Sequence, residues 1–126
     1  MSEEILVIDI AKELGLPVLI VAGNKLGAIN HTLLTIEAVK KRGMDIVGII
    51  FNNLCKRTDK VILRDNPRII KRLTGEVILG TLPRLKNKDL YKAFAPIGKK
   101  FMETLSQPCI SVKESVSKAV SPLRIR

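Results

Sequence analysis

Apolar residues recur with a helical period in the first part of the chain. Residues 3–14 place them at Ile5, Ile8, Ala11 and Leu14, which predicts an amphipathic helix that ends at Gly15. Residues 17–22 are a continuous apolar run rich in β-branched side chains, which predicts a strand covered on both faces. Helical spacing returns over residues 31–42, where Lys40, Lys41 and Arg42 precede Gly43 in the pattern of a helix end.

The same alternation continues after Gly43. Residues 46–51 predict a second buried strand, and Asn66-Pro67 predicts a helix start, because asparagine caps helices and proline fits their first position. Residues 77–80 predict a third strand, and residues 89–105 predict a last helix that Pro96 could break. Strands separated by helices of this length predict the α/β class: a three-layer, mostly parallel sheet with helices on both faces.

Length and composition limit the architecture. The 126 residues are 46% hydrophobic, which fits one α/β domain over residues 1–105 followed by a basic, Ser/Lys-rich tail over residues 106–126. The apolar runs of about six residues fall far short of the roughly 20 that a membrane span needs. The acidic start differs from a secretory signal, so we expect a cytoplasmic protein. Cys55 and Cys109 form no CxxC pattern and are expected to be reduced thiols.

Positive charge is concentrated in the second part of the chain. The net charge is +10, and 17 of the 22 lysines and arginines but six of the 12 acidic residues follow residue 50. Such a surface attracts nucleic acid, membranes or anionic ligands, or is simply solvated. We favour the solvated surface, because the chain has 3% aromatic residues and no RNA-binding signature, zinc-finger spacing or Arg-rich block.

Parallel sheets bind ligands beyond the carboxyl ends of their strands, which directs attention to residues 23–30, 52–58 and 80–87. The first loop leads into a helix start, where free backbone N–H groups, a glycine at position 27 and Lys25 could hold a carboxylate or phosphate. An ordinary turn between strand and helix explains the same residues. For His31, the single histidine, a surface or capping role is expected.

The second and third loops allow contacts with a nucleotide base. Asn52 and Asn53 follow a buried strand, and a carboxamide can pair with a purine edge or can simply end the strand by bonding backbone groups. Residues 82–85 could clamp a base between Pro83 and Leu85 while Arg84 reaches a phosphate, or could form a rigid loop. The sequence contains no GxxxxGKS/T phosphate loop, GxGxxG, HExxH or GxSxG motif.

Read together, the three segments resemble the C-terminal half of the dethiobiotin synthetase family. The resemblance covers about residues 8–90 and is most specific over residues 16–35, which include Lys25-Leu26-Gly27-Ala28-Ile29-Asn30-His31; residues 48–53 and 79–83 follow in the expected order. It implies a partial P-loop NTPase-like fold that lacks the phosphate loop. It also implies a ligase of biotin biosynthesis that uses ATP and Mg²⁺ to carboxylate 7,8-diaminopelargonate and close the ring.

The resemblance also implies site residues. Asn52 matches the family's adenine-reading asparagine, Asn53 its neighbour in the nucleotide site, and Pro83, Arg84 and Leu85 the loop around the base. The segment that matches the family's substrate-carboxylate site consists of Lys25, Leu26, Gly27, Ala28, Ile29 and Asn30. In the family this segment is contributed by the neighbouring subunit, so a homodimer is expected.

The family's phosphate loop, activating lysine and acidic Mg²⁺ ligands lie in an N-terminal half without a counterpart here. No catalytic or metal-binding residue is therefore assigned. We expect the chain to be inactive alone, with a separate N-terminal P-loop subunit, a dimer partner or the basic tail covering an exposed sheet edge. The alternatives are a non-catalytic nucleotide-binding or interaction remnant and, less favoured, a nucleic-acid-binding protein.

Overall fold

The computed structural model describes residues 4–85 and 89–107 and confirms the α/β class. Three strands alternate with four helices in chain order: α1 Val7–Leu14, β1 Val18–Gly23, α2 Ala28–Lys41, β2 Ile46–Asn52, α3 Lys60–Thr74, β3 Ile78–Leu82 and α4 Leu90–Ser106. None of these helices is both long and apolar enough to cross a membrane. The predicted tail lies almost wholly outside the described residues.

The strands form one parallel sheet in the order β1-β2-β3. The register pairs Gly23 with Asn52 and Asn52 with Leu82, so the three strands end together at one edge. The loops that follow them are thereby brought to the same side of the molecule, as the parallel-sheet prediction requires.

Helices cover both faces of this sheet. On one face α2 and α3 pack over a core of Ile20, Ile36, Ile49, Phe51 and Ile70. On the other face α4 covers β2 and β3 through Ile50, Leu79 and Ile97. The three-layer prediction is confirmed.

The prediction that β1 is covered on both faces is wrong for this structure. Leu19 and Val21 lie on the face opposite the larger core and are 38% and 60% exposed, because α4 packs mainly over β2 and β3. In the described residues β1 is also an edge strand without a partner on its outer side. The short helix α1 buries no residue, and its Asp9 forms an ion pair with Arg42, the residue that follows α2.

The predicted helix start at Asn66-Pro67 is wrong. Helix α3 begins at Lys60, where the Asp59 carboxylate accepts a hydrogen bond from the Val61 N–H at 2.8 Å. Both Asn66 and Pro67 therefore lie inside the helix. Likewise, Pro96 lies within a continuous α4 rather than at a break.

Candidate functional site

The ends of the three strands are joined by backbone hydrogen bonds. The Asn24 N–H donates to the Asn52 carbonyl at 2.7 Å, and the Asn53 N–H donates to the Leu82 carbonyl at 3.0 Å. The loops after β1, β2 and β3 thus form one continuous edge, which we call the rim: residues 24–30, 52–53 and 82–85. The rim brings the predicted carboxylate segment and the predicted base-binding residues together.

A buried asparagine lies at the centre of the rim. The Asn24 side chain is 1% exposed and donates from Nδ2 to both Asn53 Oδ1 and the Leu63 carbonyl, each at 2.9 Å. Its Oδ1 accepts from Asn66 Nδ2 at 2.9 Å, and Asn66 Nδ2 also donates to the Lys25 carbonyl at 3.0 Å. Asn24 therefore connects the ends of β1 and β2 to α3, and Asn53 reaches β3 through its backbone.

The proline inside α3 explains one of these bonds. Proline has no backbone N–H, so Pro67 leaves the carbonyl four residues earlier, that of Leu63, without its helical donor. The Asn24 Nδ2 group supplies the missing donor. A residue that weakens the helix locally thus creates the acceptor that holds the rim.

Asn52 and Asn53 occupy different environments at the end of β2. Both are partly exposed, but Asn53 Oδ1 is engaged by Asn24, whereas the Asn52 side chain has no hydrogen-bond partner among the described residues. Asn52 is the last residue of β2 rather than the first residue of a loop. Its carboxamide is the one that is free to meet a ligand with both donor and acceptor.

Pro83, Arg84 and Leu85 follow β3 on the same rim. Pro83 and Arg84 are exposed and Leu85 is partly buried. Arg84 makes no ion pair within the part of the chain that the structure describes. The arrangement places an apolar surface and a cation next to Asn53, as a base and its phosphates would need.

The carboxylate segment divides between a loop and a helix. The prediction of a loop through Asn30 is wrong, because α2 begins at Ala28, directly after Gly27 with a φ of 83°. Such a φ favours glycine. Lys25 and Leu26 are exposed, whereas Ala28 is 3% exposed.

The backbone at this helix start keeps unused donors. The Ala28 N–H already donates to the Lys25 carbonyl at 3.1 Å. The Ile29 and Asn30 N–H groups have no acceptor among the described residues, as expected in the first turn of a helix. A cavity of about 200 Å³ lies beside this turn, between β1 and α2, and is lined in part by Lys25, Ala28, His31 and Thr32.

Metal-binding chemistry is not visible in this part of the molecule. Residues 4–85 and 89–107 contain no cluster of three or more histidine, cysteine or acidic side chains that could hold a metal ion. Two groups with shifted pKa values lie outside the rim. The Lys41 hydrogen bond lowers the pKa of Glu37, and the Asp65 hydrogen bond raises the pKa of Arg64.

Cations form an exposed row along α3. With the helix starting at Lys60, the residues Lys60, Arg64, Arg68 and Arg72 follow at four-residue intervals, and all four are exposed. Spacing of this kind places side chains on one helix face. The surface suits an anionic partner as well as solvent, and none of its four residues belongs to the rim.

Sequence reasoning missed two residues of the site, Asn24 and Asn66. Asn24 is the first residue after β1, a position that signals a strand end and nothing more. Asn66 was interpreted as a helix cap. Their contact spans 42 residues of sequence, and no local pattern indicates it.

Comparisons with known proteins agree with the resemblance. A family model described as an AAA domain matches residues 1–89. An ATP-dependent dethiobiotin synthetase from Clostridium perfringens is 39% identical over 90 residues, which cover 71% of this chain and 39% of that protein. Proteins with the same description from Bacillus cereus and Bacillus thuringiensis are 43% and 37% identical, over 65% and 80% of this chain. The chain spans 34–41% of the length of these three relatives.

Proposed function

The chain belongs to the AAA-domain family and, within it, to the dethiobiotin synthetases, and from this premise we propose that it supplies the purine-base and substrate-carboxylate pockets of a dethiobiotin synthetase-like ligase. The substrates would be ATP, carbon dioxide and 7,8-diaminopelargonate. The observation that carries the proposal is the rim, where three loops of the chain meet through backbone hydrogen bonds.

The base pocket is supported by the side chains after β2 and β3. The Asn52 carboxamide offers a donor and an acceptor, which match the paired acceptor and donor on the edge of adenine. Pro83 and Leu85 offer apolar contact to the base, and the exposed Arg84 cation would attract its phosphates.

The carboxylate pocket is supported by the start of α2. The N–H groups of Ile29 and Asn30 have no acceptor among the described residues and lie in the first turn of a 14-residue helix, whose N-terminus favours an anion. Lys25 adds a positive charge. In this proposal the pocket serves the neighbouring subunit of a homodimer, as the family resemblance implies.

The described residues fit a purine and a carboxylate but do not fit Mg²⁺, because they offer no cluster of ligands for it. When bound, ATP and Mg²⁺ would supply the activated phosphoryl group of the reaction. Phosphoryl transfer depends on positioned phosphates and a metal, and the 126 residues contain no phosphate loop. We therefore propose that a separate polypeptide or segment supplies the phosphate and metal sites, and that these residues alone are inactive.

Calorimetry with ATP tests the base pocket. We expect binding by the wild-type protein and about tenfold weaker binding by Asn52→Ala, since losing about 1.4 kcal/mol of contact with the base changes affinity tenfold. Arg68→Ala, an exposed change on α3, is the control and should bind ATP nearly as well as the wild type. Equal affinity of Asn52→Ala and the wild type would refute the adenine assignment.

A turnover assay tests the division of labour. The purified chain is incubated with ATP, Mg²⁺, bicarbonate and 7,8-diaminopelargonate, with and without a second polypeptide that carries the family's phosphate loop. We expect dethiobiotin only in the presence of that polypeptide. Turnover by the chain alone would contradict the proposed incompleteness, and ATP binding without turnover in either mixture would favour a non-catalytic nucleotide-binding protein.

A further inference from the structure

We propose that Asn24 is a positioning residue that fixes the direction of the Asn53 carboxamide, so that Asn53 presents only its NH2 group to a ligand on the rim. The inference rests on the proposed function for the identity of that ligand, but the arrangement itself belongs to the free protein. Asn24 is too deeply buried to touch a ligand itself.

Two backbone carbonyls determine the orientation of the whole network. A carbonyl oxygen only accepts, so the Asn24 atom 2.9 Å from the Leu63 carbonyl is Nδ2. By the same reasoning the Asn66 atom 3.0 Å from the Lys25 carbonyl is Nδ2. Neither carboxamide can be turned over without setting oxygen against oxygen.

The fixed orientation of the Asn24 carboxamide determines the orientation of the Asn53 carboxamide on the rim. Its second Nδ2 hydrogen donates to Asn53 at 2.9 Å, so the Asn53 atom in that bond is Oδ1. Asn53 Nδ2 is then the remaining polar group of the side chain, and it has no acceptor among the described residues. A ligand at this position has to offer an acceptor, such as a ring nitrogen of a purine.

Pro67 secures this orientation. Because it lacks an N–H, it leaves the Leu63 carbonyl for Asn24, and α3 thereby helps to determine which way the Asn53 side chain after β2 faces. Asn66 adds the other end of the network by bonding both Asn24 Oδ1 and the Lys25 carbonyl. The buried Asn24 side chain, together with Asn66, thus joins the carboxylate segment to the base pocket.

Nuclear magnetic resonance of the ¹⁵N-labelled full chain tests the arrangement without any ligand. We expect the side-chain NH2 hydrogens of Asn24 and Asn66 to exchange slowly with water and those of Asn53 to exchange fast. In Asn24→Ala the Asn53 NH2 signals should move and average. Fast exchange at Asn24 in the wild-type protein would overturn the proposal even if Asn24→Ala failed to fold.

Asn53→Asp tests the outward NH2 group of Asn53 separately from the oxygen that bonds Asn24. The aspartate keeps an oxygen to accept from Asn24 but replaces the outward donor by a second acceptor. We expect ATP affinity to fall at least tenfold, while the thermal midpoint of unfolding stays near that of the wild type. An unchanged ATP affinity would show that no donor at Asn53 meets the ligand.

Thr74→Val is the matched control for lost stability. The Thr74 hydroxyl donates to the Ile70 carbonyl at 2.8 Å and accepts from the Glu76 N–H at 3.1 Å, near the opposite end of α3 from the rim. It should lower stability without moving the Asn53 NH2 signals or ATP affinity, whereas Asn24→Ala should change both. Equal effects of the two variants would show that Asn24 has only a structural role.

If the wild-type protein binds no ATP, the proposed base pocket fails, and the hydrogen exchange of the Asn24 and Asn53 side chains alone decides this inference.

Discussion

At the scale of single residues, the Asn66 side chain donates hydrogen bonds to the buried Asn24 carboxamide and to the Lys25 carbonyl. Asn66→Ala removes that donor in a site nearly closed to water, and a buried group left unsatisfied costs about 1–3 kcal/mol. We expect the free energy of unfolding, measured in urea, to fall by that amount. Arg68→Ala on the exposed side of the same helix should stay within about 0.5 kcal/mol of the wild type. A similarly small loss in Asn66→Ala would contradict the network.

Asn66-Pro67 also shows why the residue-scale prediction failed. Asparagine and proline are common at a helix start, and nothing in the adjacent sequence distinguishes a cap from an interior position. The stronger cap is Asp59, and the Leu63 carbonyl that Pro67 exposes finds its partner in Asn24, in the loop after β1. That partner is distant in sequence, so only the folded structure reveals it.

At the scale of elements, close packing of α4 on the sheet depends on a glycine in β3. A Cβ atom at Gly80 would lie 2.7 Å from Ile97 Cγ1, and Ile97 is buried. We expect Gly80→Ala to destabilise the protein by about 1–3 kcal/mol, the usual cost of overpacking.

Gly98→Ala is the control within the helix that meets Gly80. A Cβ atom there would meet Phe94 at 3.4 Å, an ordinary contact, and alanine favours a helix interior over glycine by about 1 kcal/mol. It should therefore leave the midpoint of thermal unfolding unchanged or raise it. If Gly80→Ala behaved in the same way, α4 would not pack against β3 as described.

The order of the elements is predictable because hydrophobic periodicity is strong, but their boundaries are less so. Residues 46–51 and 31–42 carry clear strand and helix patterns, and both elements form. Helix α2 begins three residues before the predicted start at residue 31. Its N-cap is Gly27, which has a left-handed φ and no side-chain cap, so the sequence between Gly23 and Asn30 gives no clear signal of a helix start.

At the scale of the whole molecule, the rim follows from topology. Parallel strands with aligned ends must bring their loops together, so the sequence could predict that Lys25, Asn52 and Pro83 share one edge. It could not predict which side chains join the loops. The exposure of Leu19 and Val21 was likewise unpredictable from an apolar run, because coverage depends on where α4 packs.

We propose that the rim, rather than the cationic row on α3, recognises a nucleotide through its base. Titrating the ¹⁵N-labelled chain with adenosine, which has no phosphate charge, tests this most directly by nuclear magnetic resonance. We expect shifts confined to backbone and side-chain signals of Asn52, Asn53 and the residues around Arg84. Shifts that appear only with ATP, lie along Lys60, Arg64, Arg68 and Arg72, and vanish at high salt would contradict it.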